Sequence, residues 1–320
     1  MPEQASSFSC LTPLTRNCYT FLVSLGIASS GKHKVTSVKK IGILYHPKVE
    51  ATRTKARELE RFLKSKGVSV WVCSAWDREK ACDRLDGTDL LLTVGGDGTI
   101  LRAVQAVIPG KTPITGINLG KLGFMTELDA DEAQKKLPSL IDAKGWIDER
   151  AMLQAEVSAS GREPRIFHAL NDIVVARGEI ARLIRVEASI DGQHLTTYKT
   201  DGVIAATATG STGYALAARG PILYPQSRDF LLVPIAPHLS SAYPLVLPET
   251  AVITLQLNTY HAATLSVDGH INLSLENGDT VIIRRSPHLA RFLRIRPRES
   301  FYSSLEDKLK GKQGESGRKS

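Results

Sequence analysis

A glycine-rich turn between an apolar run and an amphipathic segment constrains this chain more than any other feature. Residues 95–99 read Gly-Gly-Asp-Gly-Thr and directly follow the apolar run Leu90–Val94. The apolar residues that come next, from Ile100 to Val107, recur at spacings of three and four, which is typical of one face of a helix. The pattern therefore predicts a short buried strand, a tight turn and a helix in that order.

The same turn is suited to hold a phosphate group. Glycines let a ligand approach the backbone amides closely, and a helix N-terminus offers free N–H groups and a positive dipole end. Asp97 is the one ionisable side chain in the turn. A carboxylate beside a phosphate is costly unless it binds a metal ion or accepts a proton. An ordinary strand–helix turn is the alternative, but the agreement of strand, turn and helix favours a functional site.

Residues 38–145 alternate strand and helix patterns and are predicted to form an α/β domain that carries the turn. One helix is predicted at Val49–Lys66, ended by Gly67. Such alternation predicts a parallel sheet with helices on its faces, and ligands bind such sheets beyond the carboxyl ends of the strands. The predicted strands are Ile41–Tyr45, Val68–Cys73, Leu90–Val94 and Ile114–Ile117.

Residues 146–290 change to short strand-like runs broken by turns, which predicts a β-rich sandwich domain. Asp191-Gly192 and Asn277-Gly278 are hairpin signals, and one helical interruption is predicted at Ser211–Ala218. The predicted strands are Leu153–Val157, Phe167–Val175, Leu183–Ile190, Gly202–Thr207, Leu231–Ile235, Val252–Leu257, Ala263–Val267 and Val281–Ile283.

The two ends of the chain differ in their sequence pattern from its middle. Residues 1–37 are predicted to be a flexible N-terminal extension. Residues 291–309 are predicted to return to the first domain, with a short helix at Leu305–Leu309, and residues 310–320 to be a polar tail.

Charge and cysteine usage exclude some classes of function. Of the net charge of +8, residues 1–40 carry +4 and residues 303–320 carry +2, so the predicted domains lack the basic face that nucleic acid needs. No apolar run is long enough to span a membrane. The four cysteines show no metal-ligand spacing, which favours a reducing, cytoplasmic location.

Several other stretches are unusual beside the glycine turn. Each has an ordinary structural explanation when taken alone. Asn171-Asp172 could be a strand-entry turn, the hydroxyls of Thr209–Thr212 an N-cap cluster, and Asp268-Gly269 a hairpin turn. The stretches are Gly116–Phe124 with its three glycines, Asn171-Asp172, Thr200–Gly202 leading into Thr207–Tyr214, and Ser266–His270.

In this order and spacing, the motifs resemble those of the NAD kinase family over roughly residues 40–302. The resemblance implies transfer of the γ-phosphate of ATP to the adenosine 2′-hydroxyl of NAD, which gives NADP. It also implies the glycine-turn kinase fold, in which an N-terminal parallel α/β domain and a C-terminal β-rich sandwich domain flank the site. The resemblance further implies a homodimer or homotetramer and Mg²⁺ bound with the ATP. Polyphosphate is another possible donor.

The resemblance also implies roles for particular residues. Asp97 matches the catalytic base, Phe124 an aromatic near the adenine, and Asn171 and Asp172 a pair that holds the adenosine part. This chain has Asp at position 172 where Glu is commoner, so that side chain reaches one methylene less far. Further nucleotide-binding positions are Gly96, Gly98, Arg182, Lys199, Asp201, Thr209, Ser211, Thr212, Gly213, Tyr214, Ala215, Leu216, Ala217, Ala236, Asp268 and His270.

Three questions stay open at this level. The sequence names no ligands for the metal ion, and Asp97 could serve the metal instead of a proton. A lipid or diacylglycerol-type kinase shares the Gly-Gly-Asp-Gly turn, but it lacks the Asn-acid pair and the Thr209–Tyr214 loop as placed here. A non-catalytic nucleotide sensor could use the same pocket, although the presence of Asp97 argues against it. The spacing of Gly95 to Gly98 does not fit the dinucleotide-binding fingerprint G-x-G-x-x-G.

Overall fold

The fold was analysed in a computed structural model. It describes residues 38–120, 123–142, 144–159, 163–178, 182–238, 242–298 and 300–313. The predicted N-terminal extension, residues 1–37, lies outside the described residues. The described chain from Val38 onward belongs to one compact unit.

The N-terminal part is a parallel sheet with helices packed on it, as the alternating pattern predicts. Four strands run side by side in the order β2-β1-β3-β4. β3 is buried along its whole length, because both of its faces are covered. α1 buries Ala56, Leu59 and Leu63, which recur at the helical spacing. The strands are β1 (Lys40–Tyr45), β2 (Ser69–Ser74), β3 (Leu90–Val94), β4 (Ile114–Asn118) and the short β5 (Leu128–Asp129), and the helices α1 (Glu50–Ser65), α2 (Arg78–Leu85), α3 (Asp97–Val107) and α4 (Ala130–Ile141).

The C-terminal part is a sandwich of two antiparallel layers, which confirms the predicted fold class. One layer is a six-stranded sheet in the order β13-β12-β11-β8-β15-β16. Val175 and Val203 of this sheet and Val186 and Leu255 of the other layer are fully buried in one core between them. The strands are β6 (Trp146–Ser158), β7 (Arg165–Ala169), β8 (Asp172–Arg177), β9 (Ile184–Ile190), β10 (Gln193–Thr200), β11 (Gly202–Thr207), β12 (Phe230–Ile235), β13 (Leu245–Leu247), β14 (Ile253–Leu257), β15 (Ala263–Val267), β16 (Ile271–Leu275) and β17 (Thr280–Arg294).

The fifteen-residue strand β17 joins the two parts. Its first half pairs with β14, and its second half reaches the parallel sheet, where Phe292 is the partner of Ile114 on β4. β6 pairs with β17 along nearly its whole length. One eleven-stranded sheet therefore runs through both parts. The predicted domain boundary at residue 290 lies inside β17, of which the sequence pattern predicted only Val281–Ile283.

The structure corrects two local predictions in the β-rich part and confirms a third. Phe167–Val175 is not one strand, because the chain leaves β7 after Ala169 and enters β8 of the other sheet at Asp172. Asn277-Gly278 is a turn but not a hairpin, because β16 and β17 belong to different sheets. The hairpin at Asp191-Gly192 is confirmed, with both residues at positive φ.

The last helix, α6 (Ser300–Gln313), is longer than the predicted Leu305–Leu309, so the predicted tail from residue 310 begins inside it. Phe301 and Tyr302 of α6 pack against Tyr224, with ring centroids 5.8 and 5.9 Å away. Lys308 lies over the ring of Phe124. The helix therefore contacts both parts of the molecule. No helix in the described ranges is long and apolar enough to cross a membrane.

Candidate active site

The glycine turn lies at the carboxyl end of β3, where α3 begins at Asp97. Gly96 and Gly98 are exposed, and a Cβ at either position would meet nothing within 4 Å. The first turn of α3 is therefore open to a ligand. An eleven-residue helix that presents its N-terminal amides in this way suits an anionic group.

The carboxylate of Asp97 is held by the loop after β4. It accepts hydrogen bonds from the backbone N–H groups of Phe124 at 3.1 Å and Met125 at 3.2 Å. A Cβ on Gly123 would lie 2.3 Å from one of its oxygens, so only glycine permits this approach. Asp97 is half-buried and fixed in one orientation.

The loop that holds Asp97 is tied to a buried group of charged side chains. Arg294 donates to the Met125 carbonyl at 2.7 Å and forms ion pairs with Glu127 and Asp148. Asp148 also receives two hydrogen bonds from Arg150, and Arg150 donates to the Thr209 hydroxyl at 3.2 Å. Thus a chain of polar contacts runs from the Asp97 loop to the Thr209 loop.

The charge state of this group follows from its partners. Burial disfavours the ionised form of Asp148, but the hydrogen bonds and charges of Arg150 and Arg294 outweigh burial and hold its pKa below the usual value. The four side chains are between 1 and 9 % exposed. They form one wall of a cleft, called here the large cleft, which Phe124, Thr209, Thr212, Tyr224, Phe301 and Lys308 also line.

Lys308 of α6 faces the large cleft from the C-terminal end of the chain. Burial and the charge of Arg294 lower the pKa of its ammonium group, whereas the charge of Asp97 acts in the opposite direction. The structure thus brings a cation from the end of the chain near the carboxylate of the glycine turn.

Asn171 and Asp172 lie where the chain passes from one sheet to the other. Asp268, in the turn between β15 and β16, accepts hydrogen bonds from the N–H groups of Leu170, Asn171 and Asp172 at 2.9, 2.7 and 3.2 Å. Asp268 therefore supports the Asn-acid pair from beneath, and it also occupies a hairpin turn with positive φ. The side-chain oxygen of Asn171 is buried without a hydrogen-bond partner among the described residues.

The two neighbouring carboxylates disfavour each other's charge. Burial, and then the charge of Asp268, raise the pKa of Asp172 to about 7. Burial also raises the pKa of Asp268, but its three N–H donors favour the ionised form. Burial therefore acts in the same direction on both carboxyl groups, and in Asp268 the three N–H donors oppose it.

The predicted substrate loop packs directly on Asn171. A Cβ on Gly210 would lie 2.0 Å from the Asn171 carbonyl oxygen, and one on Gly213 would lie 3.9 Å from the Asp172 carboxylate. The loop forms a single 3₁₀ turn, Gly210–Thr212, and the short helix α5 (Tyr214–Ala217), as predicted.

The members of this loop have different surroundings. The Ser211 hydroxyl is buried and bonds Ala208 and Leu223, and Ala215 lies in a hydrophobic core, so both support the loop from within. Thr212 lines the large cleft. Tyr214 and Ala217 are exposed, and Leu216 is half-buried.

A second group of predicted site residues lies at the other end of β11. Asp201 pairs with Arg177 at 2.9 Å, and its N–H donates to Ile235, next to Ala236. The Lys199 carbonyl accepts from the N–H of His238. Because β11 has six residues, this group lies about 17 Å from Thr207 at the opposite end. Arg182 is exposed just before β9.

A second cleft borders the glycine turn and is called here the turn cleft. It is lined by His46, Trp76, Gly96, Gly98, Thr99, Leu101, Arg102, Asp268, Gly269 and His270. Of these, Gly96, Gly98, Asp268 and His270 were predicted as site residues. The ring of His270 contacts the Asp268 carbonyl at 3.0 Å.

The sequence did not point to several residues that the fold brings to the site. They are Gly123, the buried Glu127–Asp148–Arg150–Arg294 group, Lys308, His46, Trp76 and Arg102. Each comes from a segment distant in the chain, and none stands in a spacing that distinguishes it. The three-glycine stretch after β4 was the one available signal, because it contains Gly123, but it gave that residue no role. Across the described ranges, no three His, Cys, Asp or Glu side chains are grouped to hold a metal ion.

Two protein-family models match the chain. The ATP-NAD kinase N-terminal domain matches residues 41–145, and the ATP-NAD kinase C-terminal domain matches residues 170–295. Together they cover the glycine turn, the Asn-acid pair and both ends of β11.

Similar proteins carry consistent names. An NAD kinase of Dehalococcoides mccartyi (strain CBDB1) is 49% identical over 85% of this chain and 96% of its own length. An NAD kinase of Chloroflexus aurantiacus (strain J-10-fl) is 40% identical over 85% of this chain and 99% of its own. Yeast NADH kinase complexed with NADH superposes with a TM-score of 0.77 and 27% identity, covering 86% of this chain and 88% of that one. An NAD kinase from Archaeoglobus fulgidus in complex with ATP superposes with a TM-score of 0.69 and 28% identity, covering 85% of this chain and 98% of that one.

Proposed function

The chain belongs to the ATP-NAD kinase family, and we propose that it transfers the γ-phosphate of ATP to the adenosine 2′-hydroxyl of NAD, giving NADP. One observation carries this proposal. Asp97 is a carboxylate fixed by two backbone amides at the open N-terminus of α3, with the turn cleft at Gly96 and Gly98 and the large cleft at Phe124, one of its two donors.

The chemistry needs a base and a place for the transferred phosphoryl group. A ribose hydroxyl is a poor nucleophile at neutral pH, so Asp97 accepts its proton while the oxygen bonds to the γ-phosphorus and ADP leaves. Most of the lowering of the barrier in phosphoryl transfer comes from positioning and charge stabilisation. Positioning and charge stabilisation at the turn come from the amides at Gly96 and Gly98 and from the N-terminal end of α3.

The acceptor nucleotide is held in the large cleft and by the Asn-acid pair. Phe124 and Thr212 line that cleft, and the unpartnered oxygen of Asn171 is available to a ligand N–H or hydroxyl. Asp172 in its ionised form accepts hydrogen bonds from ribose hydroxyls. These roles follow the resemblance, and the placement of the residues around one loop supports them.

The site fits a metal ion that arrives with the nucleotide. Mg²⁺ is usually bound through one or two carboxylates together with substrate phosphates, not by a protein cage. Asp97 is the carboxylate of the glycine turn, which suits one such ligand. The metal would neutralise charge on the phosphates, while Asp97 and the amides orient the reacting groups.

The direct test is incubation of the full chain with NAD, ATP and Mg²⁺, followed by ³¹P NMR of the product. Phosphate on the adenosine 2′ position is expected. ATP consumption without a phosphorylated nucleotide, or binding of NAD without turnover, would contradict the kinase assignment and favour a sensor.

We also propose a homo-oligomer in which two subunits share each site. The group around Asp201 and Ala236 lies about 17 Å along β11 from the loop at Asn171, and a neighbouring subunit can bring the two groups together. A cytoplasmic location is proposed as well, because Cys73 and Cys82 are free thiols.

Mixing two inactive variants tests the shared site. Asp97→Ala and Asp201→Ala chains should complement each other when co-assembled, because about half of the dimers are mixed and one of their two sites is intact. About a quarter of wild-type activity is expected from this symmetry. Inactive mixtures in which mass spectrometry confirms mixed dimers would exclude the shared site without affecting the kinase assignment.

A further inference from the structure

The helix α6 forms one wall of the large cleft with a single face. Phe301, Ser304 and Lys308 line the cleft, and their spacings of three and four residues place them on one side of the helix. None of the side chains described in α6 is buried, whereas Leu59 and Leu63 of α1 are completely buried. Because a helix with little buried apolar surface has low local stability, a molecule bound against this face stabilises the docked position of α6.

The large cleft carries an excess of positive charge. Among the residues that the structure describes, five cationic side chains line it against two carboxylates, Glu127 and Asp148. Three of the cations form ion pairs with carboxylates. Arg298 and Lys308 each lie over an aromatic ring, and neither forms an ion pair with a described residue. Such a cleft attracts an anionic ligand. The five cations are Arg150, Arg294, Arg296, Arg298 and Lys308.

Of the two cations without an ion pair, Lys308 lies beside the proposed reacting groups. Its ammonium nitrogen is 5.8 Å from the centroid of the Phe124 ring, and the N–H of Phe124 holds the Asp97 carboxylate. Burial and the charge of Arg294 lower the pKa of Lys308, although the charge of Asp97 acts in the opposite direction. The charged ammonium is therefore disfavoured where it lies, and an anion next to it would offset that cost.

We propose that Lys308 pairs with the 2′-phosphate of NADP, so that α6 closes more firmly on the product than on NAD. This proposal rests on the proposed function, which places the 2′-hydroxyl beside Asp97. An ammonium group donates up to three hydrogen bonds and acts on a phosphate as a point charge. NAD has a neutral hydroxyl at this position, whereas NADP has a phosphate with a charge of about −1.5 to −2.

Selective pairing with the product has a consequence for turnover. The large cleft is expected to bind NADP more tightly than NAD, so NADP should inhibit in competition with NAD. The residue that causes this competition belongs to the last helix and lies outside the motifs that the sequence reveals.

Calorimetric titration of the full chain with NADP and with NAD, each alone, tests the proposal. Lys308→Gln should weaken NADP binding by about tenfold or more, which is the scale of loss of a charge-assisted hydrogen bond. NAD binding should change little, and Lys308→Arg should restore most of the NADP affinity because the charge is kept. Lys66→Gln is the matched control, because Lys66 also lies 5.8 Å from the centroid of a phenylalanine ring, that of Phe62, and lines neither cleft.

Hydrogen exchange of the α6 amides, followed by mass spectrometry, measures the closure itself. Saturating NADP should slow exchange in α6 of the wild-type chain more than saturating NAD does, and Lys308→Gln should remove the difference. Equal protection of α6 by both nucleotides would overturn the proposal. An unchanged NADP affinity in Lys308→Gln, or equal losses of NADP and NAD affinity, would overturn it as well. If Lys308→Gln weakens NADP alone in a chain that does not phosphorylate NAD, the contact with the 2′-phosphate stands and the proposed function fails.

Discussion

Asp97 and Asp268 are both held by backbone amides, but they occupy very different surroundings. Asp97 accepts from two N–H groups and lies half-buried beside open clefts. Asp268 accepts from three and is buried beneath the Asn-acid pair. Gln105 of α3, the helix that begins at Asp97, donates to Asp268 at 3.4 Å and so links the two.

Amide contacts are common to both aspartates, so they do not explain why we propose only Asp97 as the base. Both aspartates fix the loop that donates to them. Both turns border the turn cleft, but Asp97 is half-buried between two exposed glycines whereas Asp268 is buried, so we propose that a substrate proton reaches Asp97. Asp268 supports the loop that places Asn171 and Asp172.

Asp97→Asn should lower kcat by about 10²-fold or more, because the amide keeps the shape but cannot act as the base. The affinities for NAD and ATP should change little. Steady-state kinetics and calorimetry on the same preparation measure both. Near-normal turnover would remove Asp97 from the chemistry and erase the contrast with Asp268.

Asp268→Ala should act on stability. It leaves three buried N–H groups without their acceptor, which is expected to lower the free energy of unfolding by about 3 kcal/mol. Urea denaturation followed by circular dichroism measures this. Asp279→Ala is a matched control, because Asp279 is also a buried turn carboxylate that accepts from a backbone N–H, that of Glu276; a loss of about 1 kcal/mol is expected there. Equal losses for the two variants would contradict the supporting role of Asp268.

Gly123→Ala should sharpen the comparison by displacing Asp97 without removing it. The added methyl group would lie 2.3 Å from the carboxylate, so the side chain must move. A fall in kcat of about tenfold is expected, since misplacement of a reacting group is costly. Gly120→Ala, where a methyl group meets nothing within 4 Å, is the control for the same loop. A kcat unchanged by Gly123→Ala would show that the held orientation is unimportant.

The smallest expected effect is a pH dependence that belongs to the Asp268 region. With a pKa of about 7, Asp172 gains its charge between about pH 6 and 8. Because we propose that the carboxylate accepts hydrogen bonds from NAD, affinity should rise up to about tenfold over this range. Asp172→Asn should abolish the rise, and affinity that is still pH-dependent in this variant would assign it to another group.

The pH dependence of stability has the opposite sign to that of NAD affinity. An acid whose pKa is raised from 3.8 in the unfolded chain to about 7 in the folded chain loses stability as pH rises through that interval. Asp172→Asn should therefore flatten the decline in the free energy of unfolding between pH 4 and 7. Urea denaturation at both pH values measures it.

Strands and the glycine turn could be predicted because their signals are local. Gly202–Thr207 and Ala263–Val267 were predicted with the bounds that the structure gives. α2 was missed because it buries only Ala81 and five of its eight residues are charged, so it has no apolar periodicity. The second half of β17 was missed because arginines interrupt its apolar pattern, although these arginines form ion pairs along the sheet.

The site could be predicted only in part for a related reason. Asp97, Asn171 and Asp172 stand in motifs that a reader of the sequence can recognise. Lys308, Trp76 and Arg102 reach the site through tertiary packing, and no spacing in the chain relates one to another. Asp268 was recognised as a position, but its three N–H partners come from a segment about a hundred residues earlier.

The long strand β17 has a mechanical consequence. Enzymes with two lobes often exclude water by swinging the lobes together about a flexible hinge. Here the segment that passes between the lobes is a strand that pairs with β6 from Thr280 to Arg285 and again from Leu289 to Arg294, with a register shift between the two stretches. Any bending that extends beyond this short irregularity would break the ladder on one side of it. We therefore expect little closure of the lobes, so that shielding of the transferred phosphoryl group from water falls to smaller parts, the loops and the last helix.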